Sequence, residues 1–367
     1  MPRKGENIYK RKDSRWEGRY VKGRDYTGKV QFGYVYAKTY NEVREKLNKA
    51  KVMHASGKAP KENKKFSYYC DQWLLLSRNR IKESTYVKYF NTVEKHLKPV
   101  LGRFTPYDID TVRIEEFSNE LLLDGLKPKT VKDILTVLRS VLKHCNRQIE
   151  GLPAVDVIYP KEYKKEMRVL TLEEQQRFFN FLLEETDAVK FGILLALLTG
   201  MRIGEICALK WKNISLKDKT VSVYETMQRL QNLKEDSYKK TKIIIDEAKS
   251  ETSKRVIPLT DSALKLCEKM RSDDNAFVLT GSSDKYIEPR ALQYRFNKYV
   301  KSLGLENVHF HTIRHTFATR CVEVGFEIKS LSEVLGHSSA KITLDRYVHP
   351  SLELKRANMD KLALVGL

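Results

Sequence analysis

The first part of the chain alternates apolar and polar positions, which is the pattern of half-buried β-strands. The runs WEGRYVKG and VQFGYVYAKTY alternate in this way and contain many aromatic residues, which strands favour. Residues 25–29, DYTGK, carry the residue types of a turn. The run TYNEVREKLNKAK then predicts a helix with Thr39 near its N-cap. The pattern therefore predicts a small sheet followed by one helix.

From residue 66 to about residue 151 the apolar positions follow a helical spacing throughout. Short polar turns separate the runs FSYYCDQWLLLSR, TYVKYFNTVEKHLKPVLG, RIEEFSNELLL and KTVKDILTVLRSVLKHCNRQ. The run HASGKAPKENKK before them predicts a flexible, charged connector, and YPKEYKKEMRVLTLEE after them predicts a linker. Thr171 and Glu174 have the spacing of a capping box, so we expect the next helix to begin there.

A chain of 367 residues is too long for one typical core. We therefore expect three domains, at residues 1–58, 64–155 and 168–367. The predicted fold class is multidomain and mainly α, with small β-sheets. It comprises an N-terminal small β-sheet plus helix, a helical bundle, and a mixed α+β C-terminal domain.

The C-terminal domain places polar residues at the ends and on one side of its apolar helices. In LLALLTGMRIGEICALKW an apolar helix ends at Thr199-Gly200, and Arg202 begins a second helix, where the helix dipole favours an anion. In FHTIRHTFATR, His311 and Arg314 are three positions apart and are therefore neighbours on one side of a helix. Gly336 is a helix stop, which places His337 just beyond the C-cap.

These residue types fit a site that holds one phosphate while a tyrosine attacks it. Two arginines can each donate two parallel hydrogen bonds to phosphate oxygens. Histidines can donate hydrogen bonds or carry a proton near neutral pH. Tyr347, in DRYVHP, has a hydroxyl that can form a covalent intermediate.

The order Arg, His-x-x-Arg, Leu-Gly-His, Tyr resembles the tyrosine recombinases, the family of phage and conjugative-transposon integrases. The matching text is TGMRIGEICALKW, HTIRHTFAT, LGHSS and the final tyrosine, across roughly residues 165 to 350. The resemblance implies that Arg202 and Arg314 clamp the phosphate and that Tyr347 is the nucleophile. It also implies that His311 and His337 are catalytic, and that Glu205 supports the helix turn that carries Arg202.

The family also uses a lysine on a β-hairpin between the two arginines. Here the corresponding stretch is IIIDEAKSETSKRVIPL, in which VIPL predicts the second strand of a hairpin and SETS its turn. Lys249, just before that turn, is our choice for the catalytic lysine. Lys254 and Lys242 are the alternatives.

The resemblance implies a mechanism and a set of partners. Tyr347 would form a 3′-phosphotyrosyl bond and release a 5′-hydroxyl, Lys249 would protonate the departing oxygen, and neither metal, ATP nor another cofactor would be needed. The substrates would be double-stranded DNA attachment sites, gripped by the helical core-binding domain and the catalytic domain and bound by a homotetramer. An excisionase and a host DNA-bending protein are further candidate partners. The segment SLELKRANMDKLALVGL would be a helix that packs on a neighbouring protomer or on its own domain.

The charge of the chain agrees with a partner that is a polyanion. The formal net charge is +21, and residues 1–65 contain 19 basic and 7 acidic residues, so more than half of the excess lies there. We expect the N-terminal sheet to be an arm-type DNA-binding domain. Its candidate DNA-binding residues are Arg15, Arg19, Lys22, Arg24 and Lys29.

Several other classes of protein are disfavoured. No secretory signal is expected, and the longest apolar run, FGILLALL, is too short to cross a bilayer, so we expect a bacterial cytoplasmic protein without a membrane partner. The five cysteines form no CxxC pair, and there is no nucleotide-binding GxxxxGK[ST] loop. Three alternatives remain: a type IB topoisomerase, a non-catalytic DNA-binding regulator, and a metal-dependent nuclease that uses His309, His311 and His315 with Asp or Glu. Arg314 beside those histidines would repel a cation.

Overall fold

The structure is a computed structural model that describes residues 7–24, 30–55, 64–163, 167–233, 239–247 and 253–347, and the single positions 356, 359 and 360. Side chains are described for these residues except 22–24 and 52–55. The chain divides into two compact units, Met1–Glu162 and Tyr163–Leu367.

The first unit begins with the predicted sheet and helix. The elements are β1 (Ile8–Lys10), β2 (Trp16–Arg24), β3 (Val30–Ala37) and α1 (Tyr40–Ala55). The strands form an antiparallel sheet in the order β1-β2-β3, and Ile8, Val43 and Leu47 are buried between the sheet and the helix. Thr39 Oγ1 accepts a hydrogen bond from the backbone N–H of Glu42, which confirms the predicted cap. The predicted turn at residues 25–29 lies outside the described residues.

The predicted helices of the middle segment are confirmed. They are α2 (Phe66–Arg78), α3 (Glu83–Thr92), α4 (Lys98–Leu101), α5 (Thr111–Leu123) and α6 (Pro128–Gln148). A single π-helical turn, Val93–Leu97, joins α3 to α4. Pro99 follows this turn and has no N–H to donate to the preceding turn, which disfavours an uninterrupted α-helix here. Because this segment has its own apolar core, separate from that of the sheet, the division of the first unit into residues 1–58 and 64–155 stays a prediction that agrees with the packing.

The second unit combines helices with two small sheets. Its elements are α7 (Leu172–Leu183), α8 (Ala188–Thr199), α9 (Ile203–Ala208), β4 (Ile214–Ser215), β5 (Thr220–Val223), β6 (Glu225–Gln231), β7 (Thr241–Glu247), β8 (Arg255–Pro258), α10 (Asp261–Met270), α11 (Pro289–Ser302), α12 (Phe310–Glu323), α13 (Ile328–Leu335) and α14 (Ala340–Tyr347). Helix α8 is buried along nearly its whole length, and Phe191 on it stacks on Trp211 with ring centroids 5.6 Å apart. The predicted capping box of Thr171 and Glu174 begins α7.

The predicted hairpin around the candidate catalytic lysine is wrong in its strand pairing. Strand β8, which contains VIP, pairs antiparallel with β5, and β7 pairs instead with the preceding β6. The physical reason is the burial pattern of β8, because Arg255 and Ile257 face the interior beside β5 whereas Val256 and Pro258 are exposed. β7 finds a nearer partner in β6, whose sequence ETMQRLQ has a weak strand pattern.

Among the described residues, no helix combines the length and the apolar content that crossing a bilayer requires.

Candidate active site

Arg202 lies at the start of α9, two positions after the glycine that ends α8. Gly200 is the C-cap of α8 and has a left-handed φ of 68°. A Cβ at this position would also come within 2.5 Å of the Phe317 side chain, so both the backbone conformation and the space require glycine. Arg202 then adopts an extended conformation as the N-cap of α9. The sequence prediction for this turn is confirmed.

Glu205 fixes the side chain of Arg202 from one turn further along α9. Its carboxylate accepts hydrogen bonds from the backbone N–H and the Nη1 of Arg202, both at 2.7 Å. It also accepts two from Arg255, at 3.1 and 2.9 Å, and both of these side chains are only 5% exposed. Burial opposes the ionisation of Glu205, but the hydrogen bonds and charges of Arg255 and Arg202 outweigh it and hold the pKa at about 2.

Arg314 is buried on α12 and is held by two backbone carbonyls. Its Nη1 donates to Gly200 O at 2.8 Å, and its Nη2 donates to Leu335 O at 2.5 Å. Burial and the nearby charge of Arg202 lower the pKa of Arg314 to about 9, so it remains a cation at neutral pH. Because a guanidinium has five N–H groups, these two contacts leave donors that can bind an anion.

His337 follows a second left-handed glycine, as the sequence predicts. Gly336 ends α13 with a φ of 62°, and its carbonyl accepts a hydrogen bond from Arg202 Nη2 at 3.1 Å. The ring of His337 is oriented by a 2.8 Å hydrogen bond between its Nδ1 and Thr343 Oγ1 on α14. Thus the end of α13 contacts both candidate clamp arginines and also positions the histidine.

These side chains meet around one cavity of about 300 Å³. It is lined by Arg202, Ser253, His311, Arg314, Gly336, His337, Ser338, Ile342 and Arg346. Four of the six candidate catalytic residues therefore share one cavity, although they come from separate parts of the sequence. Three arginines and no carboxylate residue line it, so its charge suits a phosphate.

Tyr347 lies beside this cavity, at the end of α14. It is only 6% exposed, and its ring stacks parallel to that of His337, at an angle of 3° and a centroid distance of 6.3 Å. Its hydroxyl is 2.8 Å from His315 Nδ1. Burial raises the pKa of Tyr347, whereas Arg314, Arg346 and Arg202 act to lower it, so the net shift is upward. At neutral pH the hydroxyl therefore carries its proton.

The histidines at the cavity are neutral at pH 7 for a common reason. Removal from bulk water and, to a smaller extent, the positive charges of the nearby arginines together lower the pKa of His311 to about 4 and that of His337 to about 3. A bound phosphate would bring negative charge and would raise both pKa values. The histidines can therefore act as hydrogen-bond donors once DNA is bound.

Two partners of the site were missed in the sequence: His315, which is half-buried, and Arg255, which is buried. From the sequence, we considered His315 only as a metal ligand and did not consider Arg255. Their signals were present but weak: His315 is four positions after His311 on one helix, and a buried Glu205 needs a cationic partner. Arg346, which lines the cavity one position before Tyr347, was also overlooked.

The candidate catalytic lysine, Lys249, lies outside the described residues. Of the two alternatives, Lys254 has its Nζ 2.8 Å from a carboxylate oxygen of Glu247, and Lys242 lies on β7. The assignment of Lys249 stays a prediction. Among the described residues, no group of three or more His, Cys, Asp and Glu residues could hold a metal ion.

The candidate DNA-binding residues of the N-terminal sheet have different surroundings. Arg15 donates to the Asp13 carboxylate at 2.8 and 3.1 Å, and the guanidinium of Arg19 lies 3.4 Å from the centre of the Phe32 ring. Lys22 and Arg24 lie on β2, but their side chains, and Lys29 altogether, are outside the described residues. The same sheet exposes several aromatic side chains, namely Tyr9, Phe32, Tyr34 and Tyr36.

Comparison with known proteins gives consistent matches along most of the chain. A model of the phage integrase family matches residues 168–353, and a model of the phage integrase N-terminal SAM-like domain matches residues 65–122. A tyrosine recombinase XerC-like protein of Caldanaerobacter subterraneus subsp. tengcongensis is 27% identical over 307 residues, which cover 76% of this chain and 77% of that protein. The ICEBs1 integrase of Bacillus subtilis is 23% identical over 284 residues, which cover 74% of this chain and 75% of that protein.

One solved structure resembles the fold over most of its length. It is the Tn1549 transposon integrase in complex with a circular intermediate DNA, which aligns with a TM-score of 0.66 at 20% identity. The alignment covers 80% of this chain and 99% of that one. The mainly helical fold with small antiparallel sheets is therefore shared with this multidomain protein.

Proposed function

The chain belongs to the phage integrase family and is a site-specific recombinase of the integrase type, and we propose that Tyr347 links it covalently to DNA. The observation that carries this proposal is the cavity where Arg202 and Arg314 meet, with the Tyr347 ring stacked against the His337 side chain that lines it. One cavity therefore offers a phosphate clamp with a nucleophile beside it.

In the proposed reaction, the Tyr347 oxygen attacks the scissile phosphorus and the bond from phosphorus to the 5′-oxygen breaks. The protein then carries a 3′-phosphotyrosyl bond, and the DNA has a free 5′-hydroxyl. Attack by a 5′-hydroxyl of another strand reverses the step and joins that strand. The phosphotyrosyl bond keeps the energy of the broken phosphodiester, so no external energy source is needed.

The surrounding residues have distinct proposed roles. Arg202 and Arg314 donate hydrogen bonds to the non-bridging oxygens, whose negative charge grows in the transition state. His311 and His337 donate to the same oxygens or carry the proton of the attacking hydroxyl. Lys249 gives a proton to the departing 5′-oxygen. Glu205 and Arg255 hold Arg202 and do not touch the substrate.

The remaining parts of the chain supply DNA binding in this proposal. Double-stranded attachment sites are held by the helical segment, residues 64–155, and by the catalytic domain, residues 168–367. The sheet of residues 1–58 binds separate arm-type sites through Arg15, Arg19, Lys22, Arg24 and Lys29. Four protomers assemble on two duplexes, and an excisionase and a host DNA-bending protein assist the reaction.

The test is a nicked suicide substrate from which the short 5′-hydroxyl strand diffuses away after cleavage, so that the adduct accumulates. In EDTA, the wild-type protein is expected to form a covalent adduct, and Tyr347→Phe is expected to bind the DNA without forming one. A second experiment supplies a 5′-hydroxyl strand from another duplex and measures its joining to the adduct. Absence of any wild-type adduct would refute the proposed chemistry, and relaxation of supercoils without strand exchange would favour a topoisomerase.

A further inference from the structure

We propose that His315 is a positioning residue for the nucleophile, holding the Tyr347 hydroxyl through its Nδ1 atom. This inference rests on the proposed function, because it assigns a role in the attack by Tyr347. The observation behind it is the 2.8 Å distance between His315 Nδ1 and the Tyr347 hydroxyl oxygen, which joins α12 to α14.

The rings around Tyr347 leave little freedom to its hydroxyl. The ring of His337 lies parallel to that of Tyr347, and the ring of His315 approaches it on a tilt, with centroids 5.7 Å apart. His315 is itself packed edge-on against His311, at a centroid distance of 4.5 Å. Contacts therefore hold both the ring of Tyr347 and its hydroxyl oxygen, and the burial of Tyr347 limits competition from water for the hydrogen bond of the hydroxyl.

Helix α12 carries both the phosphate clamp and the residue that holds the nucleophile. Arg314 and His315 are consecutive, and Arg314 is itself fixed by the carbonyls of Gly200 and Leu335. Any movement of α12 thus shifts the clamp and the hydroxyl together. Such an arrangement keeps the distance from the tyrosine oxygen to a clamped phosphate constant, which is the requirement for efficient in-line attack.

The neutral state of His315 allows its Nδ1 to accept this hydrogen bond. Burial and the neighbouring charges of His311, Arg346 and Arg314 lower the pKa of His315 to about 4, so its ring is neutral at pH 7. We assign the tautomer with the proton on Nε2, in which Nδ1 accepts from the tyrosine hydroxyl. That direction leaves the oxygen lone pairs free to attack phosphorus. With so low a pKa, His315 is a poor proton sink, and this favours positioning over general-base catalysis.

The experiment compares two amides that differ in where they place a polar atom. His315→Asn puts its amide near the position of Nδ1, whereas His315→Gln puts its amide near that of Nε2. The rate of single-turnover adduct formation on the suicide substrate is expected to fall less than about tenfold for His315→Asn. For His315→Gln it is expected to fall roughly a hundredfold, because the reacting hydroxyl would be misplaced. His315→Leu, which has no polar atom, is expected to behave like Gln.

A second readout separates positioning from a merely structural role. Adduct formed by each variant is isolated, a 5′-hydroxyl strand is added, and the rate of rejoining is measured. Rejoining is expected to stay within about threefold of wild type, because the covalent bond already holds the tyrosine oxygen at phosphorus. DNA affinity is expected to be unchanged.

Three results would overturn the inference. The first is a rate of cleavage by His315→Leu equal to that of the wild-type protein. The second is near-normal cleavage by His315→Gln but not by His315→Asn. The third is an equal loss in the rates of cleavage and rejoining. The last result would indicate proton transfer or a damaged site. Absence of adduct from the wild-type protein would instead refute the proposed function, so the two failures are distinguishable.

Discussion

Replacement of Glu205 by Gln tests the link between the core of the catalytic unit and the proposed phosphate clamp. Glu205 is 5% exposed, and its carboxylate accepts hydrogen bonds from Arg202 and from the buried Arg255. The shift of its pKa from 4.5 to about 2 corresponds to about 3 kcal/mol of stability at pH 7. Glu205→Gln keeps the shape but leaves Arg255 buried beside a neutral group, so we expect a loss of about this size.

The pH dependence of this loss has a defined sign. Because folding lowers the pKa of Glu205, its contribution is fully present above the unfolded-state value of 4.5 and disappears as the pH falls toward 2. The difference in the free energy of unfolding between wild type and Glu205→Gln should therefore be constant from pH 8 to about pH 5 and should shrink below that. Cleavage at pH 7 should also slow, since Arg202 loses its fixed partner.

The assay is urea unfolding followed by the fluorescence of Trp211. The chain has three tryptophans, so Trp16→Phe and Trp73→Phe leave a single reporter, in the catalytic unit. Glu174→Gln is the matched control, because its partner Arg168 is 34% exposed and the expected loss is only about 1 kcal/mol. A loss for Glu205→Gln no larger than the control, or one that does not change between pH 5 and pH 3, would contradict the reasoning.

Further predictions concern the clamp, the leaving group and the N-terminal sheet. Arg202→Lys and Arg314→Lys should each slow adduct formation by roughly a hundredfold, about 3 kcal/mol, because one ammonium cannot replace the two parallel N–H donors of a guanidinium. Near-normal rates would show that this geometry is unimportant. Lys249→Ala should cleave an ordinary phosphodiester slowly and a 5′-phosphorothiolate at a normal rate, since a thiolate leaves without a proton. If the phosphorothiolate instead rescued Lys254→Ala, the catalytic lysine would be Lys254. Deletion of residues 1–60 should preserve cleavage of a short core site. It should also weaken the salt dependence of binding to longer DNA that carries arm-type sites. Equal losses of adduct on the two substrates would show that the sheet is part of the core-binding domain.

Local features of the fold were predictable because they depend on neighbouring residues. The capping box of Thr171, the glycine stop at Gly336 and the helical periodicity of the middle segment all follow from interactions within a few positions. The position of His337 was predictable for the same reason, because it directly follows Gly336, the glycine that ends α13. These features also placed Arg202 at a helix start, as the structure has it.

Partnerships between distant segments could not be predicted in this way. Arg255 donates hydrogen bonds to Glu205, which is 50 positions away. A buried carboxylate needs a cationic partner, but the sequence near Glu205 does not show which of the many basic residues it is. The pairing of β8 with β5 likewise depends on which face of β8 is buried, and the turn residues of SETS suggested a nearer partner. His315 was passed over because its contact, Tyr347, is 32 positions away.

The most direct test of the central claim is to identify the residue that carries the DNA. Adduct from the suicide substrate is digested with protease and nuclease, and the peptide with a residual nucleotide is sequenced by mass spectrometry. We predict that the nucleotide is attached to Tyr347, through a phosphate that was 3′ in the substrate. A nucleotide on another of the 19 tyrosines, or on a residue of a different type, would contradict it.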